Sequence, residues 1–145
     1  MALKESMVEV TTKYGRMPAF TVWPESAAET PVPGIIFYMD APGFREELCN
    51  MARRIAKAGY YCILPDMYYR LGTIRLDNTR RTDAMTGVWR EAMNSLTNAD
   101  VTDDTAGLLN FLDAQGEVAP GAVGCVGYCM SGRYVTTVAG RFPTR

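Results

Sequence analysis

The chain has 145 residues, 48% of them hydrophobic and 21% charged, a composition that suits one ordinary globular domain and excludes a disordered or low-complexity protein. Its 15 Lys and Arg stand against 16 Asp and Glu, for a formal net charge of −1, so it lacks the basic excess that a nucleic-acid partner selects. Residues 1–10 carry Lys4, Glu5 and Glu9 where a signal peptide would be apolar, and no later apolar run reaches the length of a membrane span, so the chain reads as cytoplasmic with no membrane partner.

Taken in order, residues 6–12 alternate and are β-branched, and after Tyr14-Gly15-Arg16 the run Pro18 to Trp23 alternates again, which predicts a hairpin at a sheet edge. Residues 24–33 hold three prolines and are expected to form a surface connection without a regular element. Gly34-Ile-Ile-Phe-Tyr-Met39 is a continuous apolar run, the pattern of a strand buried on both faces. Asp40-Ala-Pro-Gly43 breaks it. Phe44, Leu48, Met51 and Ile55 then recur at helical spacing up to Gly59, and residues 60–64 form another buried strand closed by Pro65-Asp66. Strand, helix and strand at this spacing imply a right-handed βαβ crossover and therefore a parallel sheet.

Residues 67–87 show no clean period and read as a long irregular connection of the kind that often serves function. Val88, Trp89, Ala92, Met93 and Leu96 suggest a short helix, and a second is expected from about Thr102 to Gln115, with Asp103 and Asp104 in its first turn and Leu108, Leu109 and Leu112 as its buried stripe. A strand over 122–126 leads into Gly127-Tyr-Cys-Met-Ser-Gly132, and residues 134–139 are a weak helix by propensity. The whole is an α/β protein, a single domain over 1–145 with antiparallel strands at one edge. Its fifth strand would have one side uncovered, from which the chain is expected to be the N-terminal portion of a longer fold.

The stretch around Cys129 carries the chemistry. A strand, a sharp turn and a helix place the thiol at the tip, beside free helix amides, as a nucleophile elbow requires. Small residues are needed two before and two or three after the nucleophile, and Gly127, Ser131 and Gly132 supply them; Ser131 fails as the nucleophile because Cys129 and Arg133 flank it at those offsets. A small buried cysteine at a tight junction is the competing bland reading. A Walker A loop is excluded because Arg133 and Tyr134 stand where Lys and Ser or Thr belong.

Cys49, Cys62, Cys125 and Cys129 read as free thiols, and the Cys-x3-Cys pair is a poor zinc site in a chain without histidine, so no metal and no cofactor are expected. One oxyanion donor would be the Met130 amide. The second would come from the turn after the first buried strand, where Pro42 has no N–H, leaving Ala41 or Gly43. Asp40 at that strand end either tunes the thiol or caps the following helix, capping being favoured on spacing.

Gly127-Tyr-Cys-Met-Ser-Gly132, with Met39-Asp-Ala-Pro-Gly43 and Leu64-Pro-Asp-Met-Tyr-Tyr-Arg70, resembles the dienelactone hydrolases (carboxymethylenebutenolidases) of the α/β-hydrolase fold, over residue 6 to the end. The resemblance implies an α/β-hydrolase-type three-layer sandwich truncated after the elbow helix. It implies hydrolysis of small esters or enol lactones by a Cys-His-Asp triad, with Cys129 as nucleophile, Met130 and Ala41 as oxyanion donors and Asp40 in place of the family's glutamate beside the thiol. Arg81 and Tyr128 are the candidate substrate-binding residues. With no histidine, these 145 residues alone are expected to turn over barely or not at all. The alternative is a non-catalytic α/β domain that binds a small ligand or a partner chain; oligomeric state is left open.

Overall fold

The structure, a computed structural model, describes residues 1–145. Five strands form one mixed sheet in the order β1-β2-β4-β3-β5. The expected hairpin is β1 (Leu3–Thr11) and β2 (Arg16–Pro24), paired antiparallel from Leu3 opposite Pro24 to Thr11 opposite Arg16. β2 then pairs antiparallel with β4 (Tyr61–Pro65). β4, β3 (Gly34–Tyr38) and β5 (Gly124–Gly127) run parallel, so all three end on the same edge of the sheet. β3 is the central strand of that parallel set and is almost wholly buried, as its unbroken apolar run requires.

The crossover between β3 and β4 is α1 (Glu46–Lys57), which packs on β2 and β4. Glu46 and Glu47 sit in its first turn and Arg54 and Lys57 in its last, each sign matching the helix dipole. α3 (Asn98–Asp113) and α4 (Gly132–Arg141) pack on each other and cover the opposite face through β1 and β5, giving three layers. Gly107 lets α3 touch the sheet: a methyl group there would stand 2.5 Å from the Thr11 carbonyl oxygen. Beyond β5 no further strand is paired. No helix is long and apolar enough to cross a membrane.

Several expected boundaries shift. The connection at 24–33 contains a 3₁₀ turn, Glu25–Ala28, because Glu29 and Thr30 donate back to the Ser26 carbonyl. Phe44 precedes α1. The irregular connection ends at Thr82, whose hydroxyl accepts from the Met85 amide and starts α2 (Asp83–Ser95) a turn or more before the first apolar residue of its stripe. α3 likewise begins before Thr102, because Thr97 and Asp100 form a capping box. Asp103 and Asp104 therefore lie beyond the first turn.

That shift changes what Asp104 does. Its carboxylate is buried, with a side chain 6% exposed, and receives Arg70 Nη1 at 2.8 Å, Arg70 Nη2 at 2.9 Å and the Tyr69 hydroxyl at 2.7 Å. Tyr69 also meets Thr12 Oγ1 at 2.7 Å, so the group ties the β1–β2 loop, the segment after β4 and α3 together. Burial raises the Asp104 carboxyl while the Arg70 and Tyr69 hydrogen bonds hold it down.

Candidate active site

The elbow begins where β5 ends at Gly127, and Tyr128 continues it in an extended conformation, φ −119°. Cys129 then turns to φ +56°, the left-handed region, and is the single non-glycine residue there. An L-residue in that region costs about 1 kcal/mol or more, and such strain concentrates at functional positions. A 3₁₀ turn, Cys129–Ser131, follows and runs into α4. The thiol is exposed, unlike those of the buried Cys49 and Cys62 and the half-buried Cys125. The bland reading of a buried packing cysteine is thereby overturned.

The small residues around Cys129 do not all matter in the same way. At Gly127 a methyl group would stand 2.7 Å from the Ser131 carbonyl oxygen and 2.9 Å from both Ser131 Cβ and Val135 Cγ2, so only glycine fits. Ser131 is fully buried and its hydroxyl donates to the Met39 carbonyl, which pins the elbow to the end of β3. Gly132 has nothing within 4 Å of an added methyl, so its smallness is not a steric requirement, contrary to the sequence-based expectation.

The turn expected to supply the second oxyanion donor lies beside the elbow. Asp40 accepts from the Gly43 amide at 3.0 Å through its backbone carbonyl, closing a turn with Gly43 at φ +88°. Gly43 is thereby removed as a free donor. The amide of Ala41, by contrast, donates to no other group in the chain. The favoured capping role of Asp40 is also corrected: the N-cap of α1 is Arg45, with no side-chain capping bond, and the Asp40 carboxylate is instead gripped by Arg45 through Nη1–Oδ1 at 2.6 Å and Nη2–Oδ2 at 3.0 Å. The same guanidinium donates to the Gly43 carbonyl at 3.0 Å, so the pair stiffens the turn.

Cys129 opens onto a shallow depression of about 270 Å³ lined by Met93 and Asn94 of α2 and by Met130 and Arg133. Tyr128 projects next to it, 55% exposed, its ring edge-on to Phe37 at 6.2 Å. Arg81 does not line the depression; its guanidinium lies 4.2 Å above the ring of buried Trp89. The cation that shares the depression with the thiol is Arg133, which has no carboxylate partner and donates through Nη2 to the Tyr134 hydroxyl at 2.9 Å. Sequence reading used Arg133 only to reject Ser131 as the nucleophile and to reject a phosphate loop. Its place four residues after the elbow cysteine, in the first turn of α4 where the helix dipole disfavours a cation, was the available signal.

The three segments thus converge on one edge of the sheet, at the C-terminal ends of β3, β4 and β5. The model of the dienelactone hydrolase family matches residues 17–145. The chain belongs to that family. A Methylorubrum extorquens protein named "Putative carboxymethylenebutenolidase" is 26% identical over 137 residues, which cover 94% of this chain and 44% of that protein. Among solved structures, a "Putative Dienelactone Hydrolase" of Klebsiella pneumoniae superposes with a TM-score of 0.77 at 22% identity, over 92% of this chain and 55% of that one. A dienelactone hydrolase-like promiscuous phosphotriesterase from metagenomic libraries gives 0.70 at 23% identity, over 96% and 54%. At such identities the superpositions speak for the fold, the α/β-hydrolase sandwich of the family. The chain spans about half the length of these relatives. The chain contains no histidine.

Proposed function

We propose that this chain supplies the nucleophile and oxyanion pocket of a hydrolase acting on small esters or enol lactones. The observation that carries the reading is the left-handed, exposed Cys129 between a glycine-requiring strand end and the start of a helix. The Cys129 thiolate attacks the substrate carbonyl carbon. The carbonyl π pair moves to oxygen, and the amides of Met130 and Ala41 receive the oxyanion. Collapse of that intermediate expels the alkoxide or enolate and leaves a thioester on Cys129, which water then cleaves.

Asp40 serves this site through Arg45, by fixing the turn that presents the Ala41 amide. Arg133 and Tyr128 flank the nucleophile and receive the substrate's polar and planar parts. Arg81, stacked on Trp89, lies outside the lining of the depression and has no assigned contact with the substrate. No imidazole in these 145 residues can take the thiol proton. Acylation therefore proceeds where solvent ionises the thiol, and steady turnover does not.

Mixing the chain with excess p-nitrophenyl acetate in mildly alkaline buffer is expected to release a burst of about one equivalent of p-nitrophenol per chain, in keeping with single acylation. Cys129→Ala abolishes that burst. An undiminished burst in the variant, or none in the wild type, favours a non-catalytic domain.

A further inference from the structure

The two proposed oxyanion amides come from separate parts of the chain, Ala41 from the turn after β3 and Met130 from the elbow after β5. A working pocket needs them fixed relative to each other within a fraction of an ångström. Ser131 ties the elbow to Met39, and the Gly43 amide holds the Asp40 carbonyl, whose peptide carries the Ala41 N–H, but neither bond links the turn beyond Asp40 to Met130.

Tyr68, three residues beyond β4, fills this gap. It is 2% exposed, and its hydroxyl donates to the Ala41 carbonyl at 2.8 Å. The same oxygen stands 3.4 Å from Met130 Sδ, a weaker acceptor that leaves the proton to the carbonyl. One edge of its ring backs the turn: a methyl group on Gly43 would lie 3.3 Å from Tyr68 Cε2 and 3.5 Å from Cδ2. One side chain therefore touches Ala41, Gly43 and Met130. Burial pushes its phenol well above the ordinary range, and the neighbouring Tyr134, Asp40, Cys129 and Asp66 groups push the same way, so it stays a donor.

We propose that Tyr68 is a positioning residue of the oxyanion pocket: by bonding the carbonyl of Ala41, on the peptide that follows the one carrying the Ala41 N–H, it holds that residue in register with the elbow amide of Met130. The inference rests on the acyl-transfer reading of Cys129, and two reagents separate them. Iodoacetamide alkylates a thiolate by displacing iodide from carbon and forms no oxyanion. p-Nitrophenyl acetate must pass through one. The thiolate fraction enters both rates equally and cancels from their ratio, whereas the geometry of the pocket enters only the acylation rate.

Tyr68→Phe keeps the ring and removes the hydroxyl. The expected result is a fall of about tenfold or more in the acylation-to-alkylation ratio at Cys129, the scale of a misplaced oxyanion donor. Tyr38→Phe is the matched control, since it deletes an equally buried hydroxyl that bonds Thr105 at 2.7 Å on the α3 side, and it should leave the ratio unchanged. Tyr68→Phe with an unchanged ratio, or a Tyr38→Phe ratio that falls as far, overturns the proposal. If wild-type Cys129 reacts with neither reagent, the acyl-transfer reading falls and takes this inference with it.

Discussion

Gly127→Ala is expected to destabilise the chain by about 2–3 kcal/mol, the range for overpacking a site that cannot give way, and to abolish acylation of Cys129. The added methyl meets the Ser131 carbonyl oxygen at 2.7 Å, Ser131 Cβ at 2.9 Å and Val135 Cγ2 at 2.9 Å. Two of those three atoms belong to a residue that cannot swing aside, because Ser131 is fully buried and its hydroxyl is committed to Met39. Relief requires β5 and α4 to part, and Cys129 lies between them. Gly132→Ala tests the same chemistry five residues on, where an added methyl meets nothing within 4 Å and the backbone is helical, φ −57°. That variant should be neutral or slightly more stable, since alanine favours helix over glycine by roughly 1 kcal/mol. Urea denaturation of the two variants beside the wild type decides it; equal losses at both positions would show that the close approach at Gly127 is not what the elbow requires.

Asp104→Ala is expected to cost about 3 kcal/mol, the lower end for removing one partner of a buried ion pair. The substitution leaves the Arg70 guanidinium, 18% exposed, without its fork partner and the Tyr69 hydroxyl without its acceptor. The lower end applies because Arg70 retains some solvent and has Asp100 at 3.9 Å. The neighbouring Asp103 is the contrast. It is 41% exposed and 3.8 Å from Lys13, a surface pair worth about 0–1 kcal/mol, so Asp103→Ala should barely move the urea midpoint. A similar midpoint for the two variants would contradict the clasp. Because the clasp joins the β1–β2 loop to α3, far from Cys129 in the sheet order, Asp104→Ala should weaken folding while leaving per-folded-chain alkylation of Cys129 intact.

Much of the architecture is legible in the residues because its signals are local. The unbroken run Gly34 to Met39, the period of α1 and the stop at Gly59, φ +103°, each follow from neighbours in sequence, and together they force the parallel crossover. The elbow is legible for the same reason: a glycine, a cysteine and a serine at fixed offsets answer one steric demand. Helix starts were harder. Hydrophobic period dates a helix from its first buried residue, whereas Thr82 and Thr97 begin α2 and α3 by capping amides before any apolar residue appears. The capping box at Thr97 and Asp100 was the available signal, and it would have placed Asp104 one turn before Leu108, on the buried face. The grip of Arg45 on Asp40, the stacking of Arg81 on Trp89 and the reach of Tyr68 to Ala41 depend on where side chains meet in space, across as many as 27 positions of sequence for the last, and no local pattern encodes them.

The proposed nucleophile of the elbow is Cys129 and no other group. Peptide mapping by mass spectrometry after brief exposure to p-nitrophenyl acetate tests it most directly, since Ser131 and Cys125 lie within four residues and offer competing acceptors. The expected result is a single acetyl group on Cys129, with Cys49, Cys62, Cys125 and Ser131 unmodified. An acetyl group on Cys125 or Ser131 in preference to Cys129 would contradict the account.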